Sequence, residues 1–310
     1  MTTAHLLTIA WSPDPSVVGG SVALVVAYVA WLGGRLRPRS VLFFSGIAVL
    51  LIALVSPIDR IGELYLFSVH MLQHMLLLLV VPPLLLWGLP PEAVRGLLRV
   101  RSLRRLERAL GRPTVALPAM VITLLAWHLP SLYGAALLDE GVHALEHLLF
   151  LVTATMFWWP VLTPLSGDRL SPPNAMMYLF GAMASISILG IILTFAPVPL
   201  YAFYVHPADP YGALTMIRDG WGVSVLADQQ MGGVLMWIVG GIAYILSILT
   251  EFGLWFSGPD VDERPTSRRL EPTGNVMPGP ARHTIASPHS TSRSSRQDGF
   301  PAVNALEGAG

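Results

Sequence analysis

The sequence predicts an all-α fold, a polytopic membrane helix bundle of seven transmembrane helices with the amino terminus outside and the carboxyl terminus in the cytoplasm. Three observations carry this. Of 310 residues, 53% are apolar and 12% charged, about half the charged share of a soluble domain. The apolar residues fall into runs near the ~20 that cross a bilayer core. The arginines collect on alternate connections between those runs, the pattern that sets orientation in a membrane.

The first run covers about 16–33. The residues before it, Met1 to Ser16, carry no basic group and include Asp14, which does not fit a cleaved signal peptide. Residues 1–15 therefore read as a short outer segment. Arg35, Arg37 and Arg39 follow the first run. The second, 40–56, is short but has apolar flanks, and it leads outward to Asp59, Arg60 and Glu63. The third, 65–88, ends at an inner segment, Pro91 to Arg112, that holds seven Arg. That segment reads as an amphipathic helix with its guanidinium groups at lipid phosphates, or equally as a charge cluster that only sets topology. The fourth run, 114–130, is again short. The fifth, 142–164, leads inward to Arg169, and the sixth, 174–196, leads out to a connection holding Asp209, Arg218 and Asp228. The seventh covers 231–257. In all, 17 Arg fall inside and 2 outside, while eight acidic residues lie outside. The bundle is 16–257. From 258 to 310 the chain holds seven Pro and six Gly and no apolar run, which reads as a disordered cytoplasmic tail.

Composition excludes several functions. The 19 basic residues are all Arg and are matched by 19 acidic ones, so the chain is no general nucleic-acid binder. Without Lys there is no Schiff-base chemistry. Without Cys there are no disulfides, thiolate metal sites, iron–sulfur clusters or cysteine nucleophiles. No nucleophile–base pair and no phosphate-binding loop stands out, so a role other than enzyme is expected.

Ionisable groups inside membrane spans are costly and functional by default. Here they gather. His70 and His74 lie in FSVHMLQHMLLLLVVPP, about 8 and 13 Å below the start of the third run at 1.5 Å per residue. His143, Glu146 and His147 open the fifth run in HALEHLLF, about 2 to 9 Å deep. His128 closes the fourth, and Asp228, Gln229 and Gln230 immediately precede the seventh. All sit in the outer leaflet or just above it. Residues four apart share a helix face, so each His pair can reach one ion, and two pairs on facing helices supply four nitrogens.

The candidate metal ligands are thus His70, His74, His143, His147 and His128. Gln73 and Glu146 lie about 60° round the helix from the first His of each pair. With Asp228 and Gln229 they are candidate partners that orient the ligands. Met71 and Met75 offer thioethers. Plainer roles stand beside these. A single His such as His128 ordinarily donates to a carbonyl, Met71 and Met75 ordinarily pack, His206 is an exposed loop residue, and Glu251 snorkels from the inner half.

Other patterns are weaker. H-x-x-E-H at 143–147 matches a zinc-protease motif, but no downstream acidic ligand on a soluble helix follows. H-x-x-x-H pairs also occur in membrane di-iron desaturases, whose H-x-x-H-H box is missing here. One His from each of two facing helices can ligate haem, so haem is the alternative cofactor. Pro82-Pro83, Gly232-Gly233 and Gly240-Gly241 can loosen helices as in a transporter, yet the halves show no inverted repeat.

Three strings, SPIDRIGELYLFSVHMLQHMLLLLVVPPLLLWGLP (56–90), HALEHLLFLVTATMFWWPV (143–161) and ADQQMGGVLMWIVGG (227–241), resemble a known family. In order, and over most of 15–257, the chain is similar to the seven-span bacterial cytochrome c oxidase assembly factors named for the caa(3)-type oxidase. The resemblance implies a multi-pass protein of the bacterial plasma membrane that works with cytochrome c oxidase subunits, delivering or handling copper on the outer face. The motif residues it carries over are Asp59, His70, Gln73, His74, Pro82, Pro83, His143, Glu146, His147, Asp228 and Gln229. Copper suits the donors present, since imidazole binds it and thioether favours Cu(I). The other expectation is a scaffold that holds oxidase subunits, with the histidines as a polar core.

Overall fold

The computed structural model describes residues 2–165 and 167–257; the stretch from 258 onward, expected to be a disordered tail, lies outside the described residues. Among the described residues every regular element is helical and no strand occurs. In chain order the helices are α1 (Thr3–Ile9), α2 (Pro15–Trp31), α3 (Ser40–Val55), α4 (Pro57–Leu64), α5 (Phe67–Met75), α6 (Val81–Gly88) and α7 (Pro91–Leu97). They continue with α8 (Arg101–Leu110), α9 (Pro113–Trp127), α10 (Pro130–Leu138), α11 (Glu140–Leu162), α12 (Pro172–Thr194), α13 (Val225–Val234) and α14 (Gly240–Phe256).

Five stretches are long and apolar enough to cross a membrane: Ser40–Leu64, Phe67–Gly88, Glu140–Leu162, Pro172–Thr194 and Val225–Phe256. A sixth counts if α8 and α9, bent by 67°, form one span. α2 is apolar but has only 17 residues, about 25 Å at 1.5 Å each, short of a ~30 Å core. The chain is therefore a multi-pass helical membrane protein with five or six spans of sufficient length among the described residues, where the sequence predicts seven. Boundaries move as well. The last span begins at Val225 rather than 231, so Asp228, Gln229 and Gln230 lie within the helix. The 91–112 segment forms two helices, and α8 buries none of its residues.

Local chemistry explains the breaks. Ser56 ends α3 and restarts the helix as α4: its hydroxyl accepts the Ile58 amide at 3.3 Å, and Pro57 takes the first helical position, where a missing N–H costs nothing. Between α5 and α6 the chain makes a π turn, Leu76–Val80. Pro82 and Pro83 supply no N–H, so the carbonyls of Leu78 and Leu79 lose their ordinary partners. The Trp158 indole of α11 donates to the Leu78 carbonyl at 2.8 Å, and the wider turn is tied across the bundle.

α12 packs on α13 and α14, α3 on α6, and α11 on α9 and α6. At the α12–α13 crossing a Cβ on Gly190 would lie 2.9 Å from the Gly233 carbonyl oxygen, the close backbone approach that small residues permit between membrane helices. Phe67, Met71, Phe150, Phe157, Trp158 and Tyr244 fill the centre, while Val41, Ile122, Met177 and Phe195 face outward. One end of the bundle is tied by Arg37 to Glu92 at 2.9 Å, and by the Trp159 indole to Glu107 at 2.9 Å. Glu251, expected to snorkel, is instead buried and paired with Arg169, which offsets the cost of burying its charge. At the other end α1 packs on α4 and on residues 213–217 through Leu6, Ile61, Tyr65 and Ile217.

Candidate metal centre

The centre lies where α4 meets the amino-terminal ends of α5 and α11. α5 begins at Phe67 with no capping side chain of its own. Asp228, from α13, supplies the cap: its carboxylate accepts the Phe67 amide at 2.7 Å, the Ser68 amide at 3.1 Å and the Ser68 hydroxyl. A carboxylate there also faces the positive end of the helix dipole. Gly62 of α4 presses on the same turn, since a Cβ on it would come within 2.9 Å of the His70 Cα. On α11, the Asp139 carboxylate accepts the Val142 amide at 2.9 Å, and His143, Glu146 and His147 follow on the buried side of that helix.

Four side chains converge. One donor atom from each of His70, His74, Glu146 and His147 lies within 4.8 Å of all the others. His70 and His74 bring their Nε2 atoms to 2.8 Å, and the Glu146 oxygens stand 3.9 Å from His70 Nε2 and 3.7 Å from His74 Nε2. Donors around one tetrahedral ion are about 3.3 Å apart at ~2.0 Å bond lengths, so small rotations bring this set onto an ion. His70, His74 and Glu146 are fully buried. Among the described residues neither Glu146 oxygen has a hydrogen-bond partner, nor do His70 Nδ1, His74 Nδ1 or His147 Nε2. Buried polar groups are normally paired, and an unpaired buried carboxylate is among the most costly. The donor chemistry of this set fits a cation.

A second group adjoins it. Asp59, His143 and His147 also bring donor atoms within 4.8 Å of one another, and His147 belongs to both groups. This second group lines a cleft of about 1120 Å³ between α2, α4 and α11, whose walls include Asp14, Asp59, Arg60, Glu63 and Glu140. Arg60 is held by Glu63 at 2.8 Å. Hydrogen bonds from Ser16 hold the Asp14 carboxyl below the usual carboxylate range, so the cleft mouth keeps that negative charge into mild acid.

The other sequence candidates take different places. His128 lies beside His74, with ring centroids 6.1 Å apart, but its nitrogens are engaged by the Leu124 carbonyl at 2.8 Å and the Met71 sulfur at 3.3 Å. Met71 and Met75 pack in the core. Gln73 donates to the Ala53 carbonyl at 2.9 Å and to Asp59 Oδ1 at 2.8 Å, so it orients Asp59 rather than a histidine. Asp228 caps α5, and Gln229 accepts the Leu200 amide at 2.6 Å; neither makes a hydrogen bond to the cluster. Residue-level reading passed over an aromatic wall. Tyr133 lies 5.2 Å from the His70 ring and shares a 2.9 Å hydrogen bond with Tyr204, whose hydroxyl also reaches the Gly62 carbonyl at 2.7 Å. Nothing in the local sequence around 133 or 204 marks these tyrosines.

Comparison with known proteins agrees with the resemblance in the motifs. Uncharacterized proteins of Mycobacterium bovis and Mycobacterium tuberculosis are each 25% identical to the chain over 278 residues, which is 82% of this chain and 40% of theirs. One from Mycobacterium leprae is 25% identical over 273 residues, 79% of this chain and 39% of its own. The chain thus spans about two fifths of the length of these relatives. No solved structure matches it. The family described as cytochrome c oxidase caa3 assembly factor matches residues 23–257, from the middle of α2 to the end of the described helices and including all the buried histidines, and the chain belongs to that family.

Proposed function

We propose that the protein carries copper for the assembly of haem–copper oxidase, receiving the ion at the outer face of the bacterial plasma membrane in the His70, His74, Glu146 and His147 cluster and passing it to an oxidase subunit. In this reading α2 and α9 complete seven spans, with the amino terminus outside and the Arg-rich connections in the cytoplasm. One observation carries the proposal: convergent, buried imidazole and carboxylate donors, of which the Glu146 oxygens and His147 Nε2 have no hydrogen-bond partner among the described residues. A polar core serving only a scaffold would pair its groups. Copper suits the donors, since imidazole binds it well and the absence of thiolate eases release.

The geometry favours an ion over haem. Haem takes one imidazole from each of two facing helices on either side of a macrocycle, whereas here three imidazoles and a carboxylate bring donor atoms within 4.8 Å of one another, as around a single ion. The test is the copper content of the purified full-length protein, beside a His70→Asn, His74→Asn variant. Copper in the wild type and its loss in the variant are expected. A copper-free wild type, or a variant that keeps its full copper, sinks the proposal. A Soret band in the purified protein would move the reading to haem. Oxidase that still receives copper in cells carrying the variant would move it to a scaffold.

A further inference from the structure

The two donor groups differ in their surroundings as well as in their members. Asp59, His143 and His147 line the open cleft. His70, His74 and Glu146 are fully buried behind them. His143 and His147 are 7% and 8% exposed, and each has an Nε2 without a hydrogen-bond partner among the described residues. Asp59 is aimed by Gln73, whose amide is anchored on the Ala53 carbonyl.

Building on the copper reading, we propose that the centre comprises two adjoining cation positions in series, a cleft-side one of Asp59, His143 and His147 and a buried one of His70, His74, Glu146 and His147, with His147 as the shared ligand. An ion from the cleft binds first between Asp59 and the α11 histidines. It then moves inward by ligand exchange. Asp59 and His143 let go as His70, His74 and Glu146 take hold, and His147 stays bound throughout. No electron changes hands and no covalent bond is made. The path explains why a carboxylate on α4 stands among the α11 imidazoles, away from the buried set. It also lets a fully buried cluster fill without the ion ever losing all its ligands.

Full-length protein in lipid nanodiscs, loaded anaerobically with Cu(I) alone, tests this by ion count and by loading rate against a colorimetric chelator. Wild type binds one ion per chain, since His147 serves only one position at a time. The Asp59→Asn, His143→Asn variant binds one and fills the buried position at least tenfold more slowly. The His70→Asn, His74→Asn variant takes up an ion at the fast rate but loses it on gel filtration, because the buried ligands that retain it are gone. A cleft-side variant with wild-type count and rate overturns the relay. So does a His70→Asn, His74→Asn variant that takes up no ion even transiently, a result that leaves the copper reading standing. A wild type that binds no copper removes the copper reading itself and the relay with it. If the cleft-side double variant misfolds, Asp59→Asn alone, which keeps an acceptor for Gln73, gives the same readout.

Discussion

Asp228 makes no hydrogen bond to the metal cluster, yet its carboxylate pins the first turn of α5 one turn before His70. Replacing it with Ala strips the cap from two buried amides and one hydroxyl. The expected cost is about 1–3 kcal/mol, the range for leaving buried donors unsatisfied. Thermal unfolding in detergent measures it, and copper per folded chain should hold, since Asp228 supplies no ligand. A loss of copper at unchanged stability would show that the carboxylate acts on the ion instead. This cap was hidden in the sequence because donor and acceptor lie 160 residues apart. The His pairs were legible because a spacing of four is a local signal. Asp59 is the middle case: the family motif includes it, but no spacing rule joins it to His143 on another helix.

At the scale of elements, the π turn at Leu76–Val80 is where the sequence said half of what matters. Pro82-Pro83 announced a disturbed helix; the indole that satisfies the freed carbonyl comes from Trp158, far along the chain. Trp158→Phe keeps an aromatic ring in the core and removes only the N–H. It should destabilise the bundle by about 1–3 kcal/mol, read as a lower unfolding midpoint. No shift would mean that the Leu78 carbonyl finds another donor. Helix ends were less legible than helix centres. Apolar content places the last span at 231, whereas the helix begins at Val225 because the Ser224 hydroxyl accepts the Ala227 amide at 3.2 Å. A cap is a polar signal, and hydropathy does not register it.

For the molecule as a whole, the open matter is how many times the chain crosses. The native chain has no Cys, so single cysteines can be introduced and labelled without removing any. If α2 spans, Thr3→Cys reacts with an impermeant maleimide in intact cells while Gly34→Cys and Arg105→Cys react only after permeabilisation. Labelling of Thr3 and Gly34 from the same side would leave five or six spans and remove α2 from the membrane.

The membership of the buried set has one more consequence, for the valence of what it holds. With its imidazoles neutral, Glu146 is its sole source of negative charge. A monovalent ion would leave the filled site neutral, and a divalent one would leave a net positive charge deep in a medium that stabilises charge poorly. On the copper proposal, and by that count, the inner position would discriminate by valence rather than by size: cuprous copper would rest there more easily than cupric copper, zinc or any other divalent metal.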